Sequence, residues 1–268
     1  MLSNPSTTLA RVAPVRPAAA YIGGKRMLAK RLVARINAVP HTTYAEAFVG
    51  MGGVFFRRDH RPRAEVINDW SEDVATLFRI LQRHYVAFMD VLRFQLTTRA
   101  EFEKLLMQEP GSLTDLERAA RFLYLQRTSF AGKGRHFGVS PAYPARFDVG
   151  KLGPMLDAIY ERLTGVTIER LPWADFVARY DREGTLFYLD PPYFGCEDDY
   201  GAGMFDRGQF ELMAAQLRAI RGRFILSIND RPDVRRIFDG FAMEAVGVRY
   251  TAGGNDKAKM AGELIITN

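Results

Sequence analysis

Short apolar runs of strand length alternate with helix-like stretches along most of the chain, and this predicts an α/β protein: an open, mostly parallel sheet wound with helices. Three observations carry the prediction. There are seven candidate strands, a glycine-rich turn directly follows the first of them, and one long block supplies helices but no convincing strand. The strands are expected at 44–48, 64–68, 166–170, 185–189, 224–228, 243–249 and 263–267, each rich in β-branched, aromatic or other apolar residues. Helices are expected at 25–36, at 210–220, where Phe210, Met213, Leu217 and Ile220 share a face, and at 233–238. Only Gly253-Gly254-Asn255-Asp256 and no helix separates the last two strands, so these are expected to pair antiparallel.

The block at 74–164 breaks the alternation and reads as an insertion into a body made of 21–73 and 165–268. Its clearest start signal is Thr114-Asp115-Leu116-Glu117, a capping box leading into Phe122, Leu123 and Leu125. A glycine-punctuated basic and aromatic stretch follows from Arg127 to Gly138, expected as a hairpin or exposed loop. Residues 1–20, with Pro5, Pro14, Pro17 and scattered arginines, read as a loose, flexible arm without the apolar stretch of a signal peptide.

Composition narrows the class. Hydrophobic residues at 47% and charged residues at 25% exclude a disordered chain, and 268 residues suffice for one large domain or a domain carrying an insertion. A net charge of +6 is compatible with a polyanionic partner. The single cysteine, Cys196, excludes an intramolecular disulfide and points to a reducing, cytoplasmic compartment. No apolar segment approaches the roughly 20 residues that span a bilayer, so no membrane association is expected.

The most informative motif is Asp190-Pro191-Pro192-Tyr193, at the end of the apolar run Leu186-Phe187-Tyr188-Leu189. Two prolines cannot continue a ladder, so the strand stops where the acid appears and nearby carbonyls are left without backbone donors. A carboxylate beside a free carbonyl can accept both hydrogens of an exocyclic amine while the Tyr193 ring stacks on the base that carries it. The simpler reading is a strand stop with a surface acid and a half-buried tyrosine. The first strand enters Glu46-Ala47-Phe48-Val49-Gly50-Met51-Gly52-Gly53-Val54, a turn whose glycines permit close ligand approach at the entry to a following helix. Phe55 stands where a dinucleotide fingerprint would need its third glycine, which disfavours a nicotinamide cofactor; a tight turn without a ligand is the alternative. Asp69, at the tip of the second strand, suits ribose hydroxyls or a helix N-cap. Tyr21-Ile22-Gly23-Gly24-Lys25 opens the first helix with free N–H groups and a lysine, or is a hinge. His41, His60, His84 and His136 lack metal-ligand spacing, no hydrolytic serine elbow is present, and Cys196 has no thiol-site neighbours, so neither a metal nor a nucleophile is expected.

Taken in order, the blocks Tyr21 to Lys25, Ala45 to Val54, Asn68-Asp69, Tyr124 to Phe137, Asp190 to Tyr193, Leu226 to Asp230 and Gly262 to Asn268 resemble the Dam-type N6-adenine DNA methyltransferases. The resemblance covers most of the chain. It implies a Rossmann-like class I methyltransferase fold, with the antiparallel strand near the C-terminus, and an inserted helical target-recognition region. It also implies transfer of a methyl group from S-adenosylmethionine, leaving S-adenosylhomocysteine, to a flipped adenine in double-stranded DNA. Tyr21, Gly23, Gly24, Lys25, Glu46, Phe48, Gly50 and Gly52 then border the cofactor, Asp69 holds its ribose, Asp175 and Phe176 meet its adenine, and Asp190 lies between cofactor and base. Asp190, Pro191, Pro192 and Tyr193 are the implied catalytic residues. Arg127, Lys133 and Arg135 are the implied phosphate or guanine contacts, and Phe130 or Phe137 fills the gap left by the base. Ala47 stands where relatives commonly have proline, and Gln126 and Ala131 where they often have asparagine; Arg135 matches a position that reads a guanine in GATC-recognising relatives, and with these altered neighbours the resemblance leaves the target sequence open. The aspartate favours N6-adenine in DNA over N4-cytosine or RNA adenine, and the intact motif argues against an inactive DNA-binding relative. No obligatory protein partner is expected, a cognate restriction endonuclease is compatible with the resemblance, and the setting is the cytoplasm, at the nucleoid.

Overall fold

In the computed structural model, residues 9–21, 23–138, 144–196, 205–250 and 259–268 are described. The Gly253-Gly254-Asn255-Asp256 loop lies outside them. The strands are β1 (Ala10–Arg11), β2 (Thr43–Glu46), β3 (His60–Arg61), β4 (Ala64–Asn68), β5 (Thr167–Glu169), β6 (Thr185–Leu189), β7 (Arg223–Asn229), β8 (Ala242–Tyr250) and β9 (Lys259–Thr267). Seven of them form one sheet in the order β5-β4-β2-β6-β7-β9-β8, while β1 and β3 make a separate two-stranded ladder. Within the large sheet β2, β4, β5, β6 and β7 are parallel, and β9 runs antiparallel to both of its neighbours, β7 and β8. The expected antiparallel pairing of the last two strands is therefore present, with β9 wedged between β7 and β8.

The period of two along the buried strands decides how both faces are covered. Leu186 and Tyr188 of β6 join one hydrophobic cluster while Phe187 and Leu189 join the other. Helices α7 (Trp173–Tyr180), α8 (Gly208–Ala219) and α9 (Pro232–Ile237) cover the second face through Phe176, Phe210, Met213, Leu217 and Val234. The first face receives α1 (Ala29–Ala38) together with α2 (Glu72–Arg83), α3 (Tyr85–Leu92), α4 (Arg99–Met107), α5 (Asp115–Thr128) and α6 (Val149–Leu163). The strandless block thus packs into the same apolar cluster as α1 and the sheet, through residues such as Leu77, Phe88, Leu123 and Leu156. A buried ion group locks it down: Arg162 of α6 donates two hydrogen bonds of 2.7 Å to Glu65 of β4, which also takes Arg58 at 2.6 Å. The capping box at α5 forms as the sequence predicts, with both Thr114 and Glu117 engaged.

Three local expectations are corrected. Residues 9–21 are not a loose arm: β1 pairs with β3, Val12 and Val15 donate to the carbonyls of Asp59 and Phe56, and Ala18 is buried. The first helix begins at Ala29 rather than 25, because the 25–28 segment is a turn whose Lys25 carbonyl accepts from Leu28 and Ala29. No helix follows the glycine turn; a single 3-10 turn at Phe55–Arg57 does, since Phe55 and Phe56 are pulled into the core in adjacent positions.

Candidate active site

Because β2 leads to β4 on one side and the later β6 lies on its other side, the carboxyl ends of β2 and β6 border the crevice where an open α/β sheet takes its ligand. A cavity of about 780 Å³ opens there, lined among others by Tyr21, Gly23, Gly24, Lys25, Glu46, Phe48, Gly50, Asp69, Asp190 and Pro192. It is of the size that holds a drug-sized ligand. Arg16, Pro17, Ala19 and Ala20, from the segment expected to be loose, complete its wall.

The turn after β2 is shaped by steric necessity. Gly50 and Gly52 have φ of 50° and 72°, and a Cβ on Gly52 would lie 2.2 Å from the Phe56 ring. Asp69 braces this turn: its Oδ2 accepts from the Gly50 N–H at 2.8 Å and its Oδ1 from the Ser71 N–H at 2.9 Å. Burial pushes the Asp69 carboxyl up to about 6, against these two hydrogen bonds. Asp69 thus lines the cavity while fixing the turn to the start of α2.

β6 ends at the tetrapeptide for the reason its sequence suggests, and the next residue is clamped. Asn229, at the tip of β7, accepts the Phe194 N–H at 2.9 Å and donates to the Phe194 carbonyl at 3.0 Å. Asp190 Oδ1 lies 2.9 Å from Lys25 Nζ and accepts from the Ser227 hydroxyl at 3.3 Å. Neither Asp190 Oδ2 nor the Pro191 carbonyl accepts a hydrogen bond from a described residue. Lys25 also donates to the Tyr193 hydroxyl oxygen at 2.9 Å and to Glu263 Oε2 at 3.3 Å, with Nζ 4.2 Å from the centre of the Tyr193 ring. The Tyr193 hydroxyl donates to Glu263 Oε1. Burial pushes the Asp190 carboxyl up to about 6; Lys25 opposes the rise and Glu263 adds to it. Beside it, burial pushes Glu46 up to about 8, although it accepts the Tyr44 hydroxyl at 2.6 Å.

The cavity brings together Tyr21, Gly23, Gly24, Lys25, Glu46, Phe48, Gly50, Asp69 and Asp190, while Gly52 does not line it. Other placements differ. Asp175 is exposed on α7, and Phe176 is fully buried in the second cluster; neither lines the cavity, because the helix turns its apolar face to the sheet. Arg127 does not extend into solvent: it donates to the carbonyls of Ala18 at 2.5 Å and Arg146 at 3.2 Å, tying α5 to the N-terminal segment. Phe137 is half-buried against Phe102, the two ring centroids 5.4 Å apart. Phe130 is 62% exposed, and Lys133 and Arg135 are exposed with it, in a loop closed by a Ser129–Phe137 bridge.

Residues outside the sequence reading also belong to the site. Trp70 is half-exposed on the cavity wall directly after Asp69, where its adjacency to a strand-tip acid was the available signal. Ser227, Asn229 and Glu263 hold Asp190, Phe194 and Lys25; they fall in the 226–230 and 262–268 blocks of the resemblance, which assigns them no role there. Arg57 half-fills the cavity wall near Arg26, and burial and that like charge both lower its pKa. Among the described residues no group of three or more His, Cys, Asp or Glu side chains could hold a metal ion, and no helix is long and apolar enough to cross a membrane.

Comparison with known proteins places this geometry. The chain is 22% identical over 232 residues to the type II methyltransferase M.CviBI of Paramecium bursaria Chlorella virus NC1A, a match covering 85% of this chain and 88% of that one. It is 24% identical over 279 residues to the type II methyltransferase M1.LlaDCHI of Lactococcus lactis subsp. cremoris, covering 95% of each. Residues 21–251 match the model of the D12 class N6 adenine-specific DNA methyltransferases. That span takes in the glycine turn, both acid-bearing strand tips and the Asp190 tetrapeptide, and this DNA adenine methyltransferase therefore belongs to the D12 class N6 adenine-specific DNA methyltransferase family.

Proposed function

We propose that the enzyme methylates N6 of an adenine flipped out of duplex DNA at a specific sequence, with S-adenosylmethionine as methyl donor. The observation that carries this reading is the Asp190 carboxylate on the cavity wall, held through Oδ1 while Oδ2 takes no hydrogen bond from a described residue. The cavity fits the donor in size and chemistry. Gly50 and Gly23, at positive φ, allow close backbone approach, Asp69 presents a carboxylate to a ribose, and Trp70 offers a ring beside it. When bound, S-adenosylmethionine supplies an electrophilic methyl carbon on a sulfonium.

The adenine amine is a weak nucleophile because its lone pair is delocalised into the ring. Asp190 Oδ2 and the Pro191 carbonyl accept its two hydrogens, which returns the lone pair to nitrogen for in-line attack; as the nitrogen–methyl bond forms and the sulfur–methyl bond breaks, the cationic nitrogen gives up one of those protons, finally to solvent, and no covalent enzyme intermediate forms. Tyr193 stacks on the extruded base, worth about 1–3 kcal/mol against an unstacking cost of a few kcal/mol. The region 74–164 is the target reader, with Phe130, Lys133 and Arg135 on its exposed loop available to the duplex, while Arg16 and Arg26 at the cavity suit flanking phosphates. The test is purified protein with labelled S-adenosylmethionine and unmethylated duplex DNA. N6-methyladenine is expected; N4-methylcytosine, or label on RNA alone, overturns the reading.

A further inference from the structure

Asp190 shares its lysine with a second carboxylate for which the reaction described above has no use. Glu263 lies on β9 with no exposed surface, register-paired with Asn229 of β7 and Val246 of β8 and followed by the buried Leu264, Ile265 and Ile266. A carboxylate in so apolar a strand costs several kcal/mol of desolvation unless its partners repay it, and the sheet itself does not require one. Two of its partners are at the reaction centre. One oxygen takes Lys25 at 3.3 Å and the other takes the Tyr193 hydroxyl.

We propose that Glu263 is a positioning residue for methyl transfer, holding Lys25 away from exclusive pairing with Asp190 and fixing the Tyr193 ring by its hydroxyl. The inference rests on the adenine-N6 reading. Sharing the Lys25 ammonium between two carboxylates leaves Asp190 less neutralised, where positive charge develops on N6 as the methyl group moves from sulfur to nitrogen. Without the Glu263 charge, Lys25 pairs more strongly with Asp190 and competes with the amine for its lone pairs. Tyr193, freed at its hydroxyl, keeps its ring but loses its orientation.

Asp190 is faced by Lys25 ahead of α1, Glu46 on β2, Tyr188 on its own strand, Ser227 on β7 and Glu263 on β9. Of these, Glu263 adds negative charge that raises Asp190, so removing that charge should let Asp190 titrate at lower pH. Loss of packing alone would have no such effect. Glu263→Gln keeps the shape. It should bind S-adenosylmethionine as the wild type does, lower kcat about 10- to 100-fold, and move the acid limb of the kcat profile to lower pH. NMR titration of the Asp190 carboxyl in the free protein should shift the same way. A wild-type kcat, or an unmoved Asp190 titration in a folded variant, overturns the proposal. If Glu263→Gln fails to fold, Tyr193→Phe decides: it keeps the ring, removes the hydroxyl that joins Glu263 and Lys25, and should lower kcat by about tenfold, whereas a wild-type rate again overturns the proposal. Wild-type protein that makes no N6-methyladenine would sink the functional reading instead, a result independent of the titration in the free protein.

Discussion

Asp190→Asn is the substitution whose outcome the site geometry fixes most tightly. The asparagine carbonyl must occupy the place of Oδ1, because Lys25 Nζ at 2.9 Å and the Ser227 hydroxyl at 3.3 Å both require an acceptor there. Its NH2 group then replaces Oδ2 and aims donors at an amine that also brings donors. Losing one preorganised contact of this kind costs about 10²- to 10³-fold in rate, or roughly 3–4 kcal/mol, and the facing donors add to it. The wild-type rate should also fall as pH drops through about 6, where the Asp190 carboxylate takes up its proton and stops accepting; residual activity of the asparagine variant should lack that limb. Single-turnover transfer of labelled methyl to duplex DNA reads both effects, with cofactor binding measured in parallel to show that the cavity is intact. A variant near the wild-type rate, or a wild-type profile flat through pH 6, would refute the assignment of Asp190 as the amine acceptor.

Glu46 gives a stability prediction. Its folded carboxyl stays protonated up to about 8 while the unfolded one ionises near 4.5, so the folded state holds the extra proton and stability falls as pH rises across that window. At about 1.36 kcal/mol per pH unit the ceiling on this loss is roughly 5 kcal/mol. Glu46→Gln should flatten it, and parallel denaturation curves for variant and wild type at each pH would count against the argument. Arg135→Ala should relax preference at one base by about 1–3 kcal/mol in a methylation survey over variant duplexes; uniform weakening makes Arg135 a phosphate contact instead. Gly52→Ala, forced against the Phe56 ring at φ of 72°, should lose about 1–3 kcal/mol of stability together with cofactor affinity, and an unchanged Tm would show that the turn can relax.

Sheet elements were legible where burial and punctuation agreed. The runs at 64–68 and 185–189 match their strands end to end, since each is a short apolar stretch closed by an acid or a proline. The α1 boundary was less so, because Lys25 is needed inside the site and the chain turns once before the helix can begin. Asp190, Asp69 and the glycine turn were legible together, as two strand-tip acids and a glycine turn on one edge of the sheet, although each alone has an ordinary reading as a strand stop, a helix cap or a tight turn. Glu263 and Ser227 were not, because their role depends on which strands lie side by side, and β9 enters the sheet out of sequence order. Arg127 and Phe137 show what composition leaves out: a basic and aromatic stretch suggests DNA contacts, while in the fold both residues also make internal contacts, Arg127 to the Ala18 carbonyl and Phe137 to the Phe102 ring.

The ion group that joins Lys25 to Tyr193 and Glu263 closes over sequence separations of 168 and 238 residues. Contacts this distant reward the chain only after the intervening segments are ordered, and chains rich in them fold slowly. During refolding, local helices such as α5, with its own cap, can form long before these charges meet. Helical signal should therefore return ahead of methyl transfer, and the reaction centre is the last part of the molecule to acquire its native electrostatics.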